Sequence, residues 1–257
     1  MCVLALAWRA HPRWQLVFAG NRGELHGRPA DPLARWPEAP HVLAGRDRQS
    51  GGTWLGVSEQ GRFTVVTNLR GHGAPSSAAP SRGLLLRDQL LGNGAFADVG
   101  ADATAHFNPF NLIRLRPGAA DIWTNRPEPA GAMLAPGLHG LSNGPLDEPW
   151  PKVERLKGHL AAWLSTDATR PEALLNALQD ETLGDEGVPP AIPSDAPLEP
   201  RISPIFIRND IYGTRCGTVV VIDAEGAGRI IERRFDAQGQ ITGETALEFT
   251  WPIWRPV

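Results

Sequence analysis

The sequence has few cysteines, no long apolar run and no block of like charge, and each shortage excludes a class of protein. Two cysteines in 257 residues, Cys2 and Cys216, are too few for a disulfide framework and fit a reducing cytosol. No segment approaches ~20 uninterrupted apolar residues, so no transmembrane segment is predicted. The net charge of −3 is spread along the chain, which argues against nucleic acid or an acidic membrane as partner. We therefore expect a cytoplasmic protein.

Signals for a nucleotide, a metal ion or secretion are also missing. No G-x-G-x-x-G follows a predicted strand and no P-loop occurs, so nucleotide binding has no support. The seven histidines never occur in H-E-x-x-H or a comparable spacing, so no metal site is predicted. The apolar run at residues 3–8 does not fit a signal peptide, because no basic residue precedes it and Arg9, His11 and Arg13 follow it closely.

Short apolar runs separated by turn residues indicate a strand-rich chain. The hydrophobic content of 42% is ample for a core, and we predict a single domain over residues 1–257. The runs predict three hairpins (3–8 with 14–19, 53–57 with 63–67, 110–115 with 121–124) and a C-terminal meander (218–223, 229–235, 245–249). Apolar spacing predicts helices at 81–91, 152–164 and 171–178, and six prolines predict a surface loop at 187–204. Antiparallel pairs with grouped helices favour an α+β fold over a doubly wound sheet.

The second residue is a candidate nucleophile. Cys2 follows Met1, and a small second residue permits methionine aminopeptidase to remove the methionine. The chain would then begin with a thiol and a free α-amine, which is a suitable internal base near neutral pH. The alternative is that Cys2 is a small buried residue at the start of an edge strand. Position alone does not decide between the two.

Short polar motifs at the ends of predicted strands carry a family resemblance. They are Asn21-Arg22-Gly23-Glu24, Gly51-Gly52-Thr53-Trp54-Leu55-Gly56, Thr67-Asn68, Gly140-Leu141-Ser142-Asn143 and Tyr212-Gly213-Thr214-Arg215. Together with Met1-Cys2 they follow the order of the NRDE family, the transport and Golgi organisation group, which the chain resembles. The departure is Gly23, where that family usually has aspartate.

The resemblance implies a fold and a set of roles. The fold is a four-layer αββα sandwich of the N-terminal nucleophile (Ntn) hydrolase type, with two stacked antiparallel sheets. Similar amide hydrolases attack a carbonyl with the terminal cysteine and stabilise the oxyanion with asparagine amides. By that analogy the catalytic candidates are Cys2, Arg22, Asn68, Asn143 and Arg215. The binding candidates are Asn21, Glu24, Trp54 and Thr67.

The resemblance is compatible with two functions. The first is hydrolysis of a small amide or thioester by Cys2, without a cofactor. We expect Gly23 to weaken it, because glycine removes a carboxylate and Glu24 would replace that group only if the chain turned at Gly23. The alternative is a non-catalytic carrier of haem or of an acyl-CoA or other lipid. No haem-attachment motif occurs, so Cys2 or a histidine would be a non-covalent axial ligand. A protein-interaction module has no support, because the chain shows no exposed amphipathic stripe.

Overall fold

A computed structural model gives the structure of residues 2–98, 100–166, 169–184 and 203–253. The chain divides into two compact units. The first comprises Met1–Arg28, Pro136–Ala224 and Gly228–Glu248, and the second comprises Pro29–Ala135, Glu225–Ala227 and Phe249–Val257. The single-domain expectation stays a prediction.

The first unit is built on a six-stranded sheet. Its strands are β1 (Cys2–Trp8), β2 (Trp14–Leu25), β10 (Gly137–Leu141), β11 (Tyr212–Asp223), β12 (Ala227–Phe235) and β13 (Ile241–Thr250). They lie in the order β10-β1-β2-β11-β12-β13, and the pairs from β10 to β12 are antiparallel. Since β1 has a neighbour on each side, the alternative of an edge strand beginning at Cys2 is wrong.

Helices α3 (Pro151–Leu164) and α4 (Glu172–Ala177) cover one face of this sheet. Their leucines share a core with alternate residues of β1, namely Val3, Ala5 and Ala7. Because successive side chains of a strand point to opposite faces, Cys2 and Leu4 lie on the face away from the helices. The helix-covered core therefore sets the direction in which the Cys2 side chain points.

The second unit is built on a seven-stranded antiparallel meander in which each strand pairs with the next. Its strands are β3 (Ala30–Trp36), β4 (Ala39–Asp47), β5 (Leu55–Ser58), β6 (Arg62–Asn68), β7 (Phe110–Arg116), β8 (Ala119–Thr124) and β9 (Ala130–Met133). Helix α1 (Arg82–Leu91) packs against β4, β5 and β6, and a short α2 (Ala101–Ala105) precedes β7. Ser81 caps α1 by accepting a hydrogen bond from the amide of Gly83, and Gly92 ends it with φ of 71°.

All predicted hairpins, the meander and the three helices are present, so the α+β expectation with antiparallel sheets is confirmed. Strands β3, β4, β9 and β10 and helix α2 were not predicted. Strand β9 is exposed throughout and β3 is mostly exposed, while β10 contains two glycines, so these strands lack the apolar pattern that marks a strand. Most of the predicted proline-rich loop, residues 187–202, lies outside the described residues.

Candidate active site

Cys2 lies directly beside an arginine on the neighbouring strand. In the antiparallel pairing of β1 and β2 the Cα of Cys2 faces that of Arg22, so both side chains point to the face away from the helices. Cys2 is half-buried, whereas Arg22 is only 6% exposed. Cys216 on β11 faces Arg22 from the other side, and Arg234 on β12 follows. One row across four strands therefore alternates thiol and guanidinium groups.

A carboxylate lies on the same face as Arg22. Glu24 is two residues further along β2, and its Oε2 lies 3.8 Å from Nη2 of Arg22 and 3.9 Å from Nε of Arg28. Strand β2 continues to Leu25, so Glu24 reaches this position without a turn. Glu24 shares this face with Arg22 because residues two apart in a strand point the same way, and its role in replacing the carboxylate lost at Gly23 stays a prediction.

The Ser142-Asn143 segment is attached to Cys2 through the backbone. The Oγ of Ser142 donates a hydrogen bond to the carbonyl oxygen of Cys2 at 2.7 Å. Asn143 is the next residue, and strand β10, which pairs with β1, ends just before this segment at Leu141. The Asn143 side chain is 1% exposed. Its amide is therefore a buried, uncharged hydrogen-bond donor beside the start of β1.

Arg215 holds the segment that follows β2. It is the extra residue of a β-bulge, since Thr214 faces Gly23 while Cys216 faces Arg22. Its Nη1 donates to the carbonyl oxygens of Leu25, His26 and Arg28 at 2.8, 3.0 and 3.1 Å. Burial lowers the pKa of Arg215, and repulsion by Arg22 adds to this, while the charge of Glu24 opposes it. Arg215 therefore belongs to this group of residues as an anchor of the backbone.

A family match covers most of the chain. The model of the Transport and Golgi organisation 2 family matches residues 1–237, the range that contains every motif described above. The chain belongs to the Transport and Golgi organisation 2 family. It is 29% identical over 284 residues to the Transport and Golgi organization 2 homolog of Mus musculus, covering 97% of this chain and 99% of the mouse protein. It is 30% identical over 266 residues to the Homo sapiens homolog, covering 91% and 92% of the two chains. The resemblance inferred from the motifs is thus confirmed.

A solved structure shows the same fold. The Caenorhabditis elegans ortholog of N-acylethanolamine-hydrolyzing acid amidase aligns with a TM-score of 0.50 at 12% sequence identity, covering 86% of this chain and 92% of that chain. The Ntn-hydrolase type of fold that was predicted for the present chain is therefore confirmed.

Asn21 of the family's first motif is not part of the cluster around Cys2. Its neighbour across the sheet is Val3, which faces the helices. The Nδ2 of Asn21 donates to the carbonyl oxygens of Leu178 and Ile205 at 2.7 and 2.9 Å. Asn21 therefore points to the opposite face of the sheet from Cys2, because adjacent residues of β2 point to opposite faces, and its binding role stays a prediction.

Three predicted site residues belong to the second unit. Asn68 is the exposed last residue of β6. Thr67 is buried, and its Oγ1 accepts a hydrogen bond from Nδ2 of Asn111 at 3.5 Å. The ring of Trp54 packs on Gly45, where an added Cβ would lie 2.4 Å from it. Their proposed roles at Cys2 stay predictions.

Two residues near the cysteines had not been singled out as site residues. Ser142 was part of a quoted motif without a role, yet it joins β10 to Cys2. Glu232 on β12 is 3% exposed and forms a hydrogen bond with the thiol of Cys216. Glu232 is the single acid of the predicted strand at 229–235, and this is the signal that marks it.

The described residues form neither a metal-binding group nor a membrane-spanning helix. Within the described ranges, no three His, Cys, Asp or Glu side chains are grouped as a metal ion would require. No helix in the described part of the chain is long and apolar enough to cross a membrane.

Proposed function

We propose that this protein hydrolyses small amides or thioesters with Cys2 as the nucleophile. The observation that carries the proposal is the cross-strand pair of half-buried Cys2 and buried Arg22. A positive charge beside a thiol stabilises the negative charge that sulfur carries when its proton leaves. The protein of similar fold is by name an amidase, so amides come first among the substrates to test.

The proposed reaction requires removal of Met1, so that Cys2 has a free α-amine. That amine takes the thiol proton, and the sulfur attacks the carbonyl carbon of the substrate. The tetrahedral oxyanion collapses and expels an amine or a thiol, which receives the proton. A thioester of Cys2 remains. Water then attacks this thioester with the α-amine as base, releasing the carboxylic acid and restoring the thiol.

The neighbouring residues have separate tasks in this proposal. The amide of Asn143 donates to the oxyanion, and one such donor is worth about 3 kcal/mol of barrier. Asn68 is the predicted second donor. Ser142 holds the Asn143 segment against Cys2 through its hydrogen bond to the Cys2 carbonyl. Arg215 is a positioning residue, because its contacts fix the backbone after Glu24.

The test compares the two thiols of the chain. Intact mass spectrometry first establishes that Met1 is absent from the sample. We expect Cys2→Ala to abolish turnover of a panel of acyl-amides and acyl thioesters while the melting temperature changes little. Cys216→Ala removes the other thiol of the same row and is the matched control, which should retain turnover.

Two results would contradict the hydrolase. One is retained Met1, which removes the α-amine mechanism. The other is no turnover by the processed wild type together with tight binding of haem or an acyl-CoA, followed by absorbance or calorimetry. That second result would support the alternative function, a non-catalytic carrier.

A further inference from the structure

A second polar site lies within the second unit. A cavity of about 250 Å³ opens where β6 and β7 meet the C-terminal end of α1. This volume lies just below the usual range for small-molecule sites, roughly 300–1,000 Å³. Its polar lining comes from two strands, the end of α1 and the segment that follows α1: Arg62, Thr64, Arg114, Arg116, Gln89 and Asp98. None of these residues takes part in the chemistry proposed for Cys2.

Strand pairing brings three guanidinium groups to this cavity. Thr64 on β6 faces Arg114 on β7, and the preceding pair is Phe63 with Leu115. One further step of the same register sets Arg62 opposite Arg116. The guanidinium of Arg62 lies against the end of α1, since a Cβ on Gly92 would be 2.3 Å from its Nη2. Arginines from adjacent strands therefore line the cavity together.

The local charge is positive. Arg114 Nε and Arg116 Nη2 share the carboxylate of Asp121, at 2.5 and 3.2 Å. Asp98 is the one acid among the residues that line the cavity, as far as the described chain shows. The three arginines carry three positive charges, and the carboxylates of Asp98 and Asp121 carry two negative charges. One positive charge is therefore in excess. Guanidinium groups hold oxyanions through paired hydrogen bonds, so the surplus favours a small anion.

A buried hydroxyl points independently to a ligand. Thr64 is 1% exposed, and its Oγ1 has no hydrogen-bond partner. Leaving a buried hydroxyl unpaired is costly, so such groups are rare without a ligand or a water to meet them. The unpaired Oγ1 belongs to a residue that lines the same cavity as the three arginines.

We propose that this cavity binds a small phosphate-bearing anion. Arg62 and Arg116 supply charge-assisted hydrogen bonds, and the hydroxyl of Thr64 supplies a neutral one. Phosphate fits better than carboxylate, because it offers three or more oxygens to donors that come from two strands, whereas a carboxylate offers two. The volume leaves room for a small organic group on the phosphate.

The test is calorimetric titration of phosphate-free protein with inorganic phosphate at constant ionic strength. We expect saturable binding, roughly tenfold weaker in Arg62→Gln. Arg48→Gln is the control, because Arg48 is an exposed arginine of the same unit paired only loosely with Asp31, at 3.8 Å. That variant should bind phosphate like the wild type. If Arg62→Gln folds poorly, Arg116→Gln replaces it, since the Arg116 side chain is 49% exposed.

The variant Thr64→Val distinguishes a role of the hydroxyl in phosphate binding from a role in the stability of the fold. The substitution removes a hydroxyl without a partner, so the melting temperature in phosphate-free buffer should not fall. Phosphate affinity should fall about threefold, as expected for loss of one neutral hydrogen bond. A merely structural threonine would leave the affinity unchanged.

Further titrations identify the form of the ligand. Glycerol phosphate binding more tightly than inorganic phosphate would indicate a phosphomonoester, and the reverse order would indicate free phosphate. Both results support the proposal. Absence of a phosphate signal, equal affinity for acetate, or unchanged affinity in Arg62→Gln and Thr64→Val would overturn it. Cys2→Ala should bind phosphate normally, so this test and that of the hydrolase fail independently.

Discussion

The two cysteines lie on either side of Arg22, yet their surroundings differ. Cys2 is half-buried at the start of β1, whereas Cys216 is buried within β11. Burial raises the pKa of the Cys216 thiol well above its ordinary value, and the charge of Glu232 raises it further. Both thiols have Arg22 on the neighbouring strand, so an adjacent arginine alone is not sufficient to activate a thiol. The exposure of each thiol and the carboxylate of Glu232 near Cys216 decide which thiol reacts.

The position of Arg22 between the two cysteines also keeps their thiols apart. Arg22 occupies the strand between them, so two strand spacings of about 4.8 Å each separate their Cα atoms. A disulfide needs Cα atoms about 4.4–6.8 Å apart. Cys2 and Cys216 thus cannot be joined without distortion of the sheet, which agrees with the reduced state expected from their small number. Each thiol can be probed separately.

The largest expected difference is in reactivity. Iodoacetamide should alkylate Cys2 in the folded protein on the order of 100-fold faster than Cys216, because Cys216 is buried and stays protonated. Peptide mass spectrometry over a time course measures both rates. In denaturant the two rates should become similar. Equal rates in the folded protein would show that the contrast between the two environments is wrong.

Removal of the shared arginine should affect Cys2 strongly. Arg22→Gln is expected to slow alkylation of Cys2 and any hydrolysis by about tenfold or more at neutral pH, because it removes the positive charge beside the sulfur. Arg22→Lys retains the charge and should restore part of both rates. Arg234→Gln alters the opposite end of the row, beside Cys216, and is the matched control. The same loss in Arg234→Gln would indicate a general change of the sheet.

Sequence reasoning located the strands and helices that carry strong apolar patterns, and the family motifs located Cys2, Arg22 and Asn143. It did not reveal which residues share a face. Asn21 belongs to the same motif as Arg22 but faces Leu178 under the helices, and Glu24 joins Arg22 because it is two positions away. Glu232 was missed because its contact with Cys216 depends on the pairing of β11 with β12, which spacing along the chain does not reveal.

The raised pKa of Cys216 should appear as a pH dependence of stability. Above the ordinary thiol pKa the unfolded chain releases this proton while the folded protein retains it. The stability supplied by the protonated thiol is therefore complete below that value and is lost as pH rises through the folded-state pKa. Cys216→Ala should lose less stability than the wild type between about pH 7 and pH 10. Urea unfolding across this range measures the difference, and an identical pH dependence in the two proteins would contradict the expectation.

The smallest effect is expected at Gly23, although the family pattern has an acid there. In β2 this residue lies between Arg22 and Glu24 and faces Thr214, so an added side chain would point away from Cys2. Gly23→Asp should thus change hydrolysis by less than about threefold. Glu24→Gln should have the larger effect, because the Glu24 carboxylate lies 3.8 Å from the Arg22 guanidinium. Turnover rates of the two variants decide the matter. A clear gain in Gly23→Asp would mean that a carboxylate at residue 23 reaches the amine of Cys2 and that the face assigned to it is wrong.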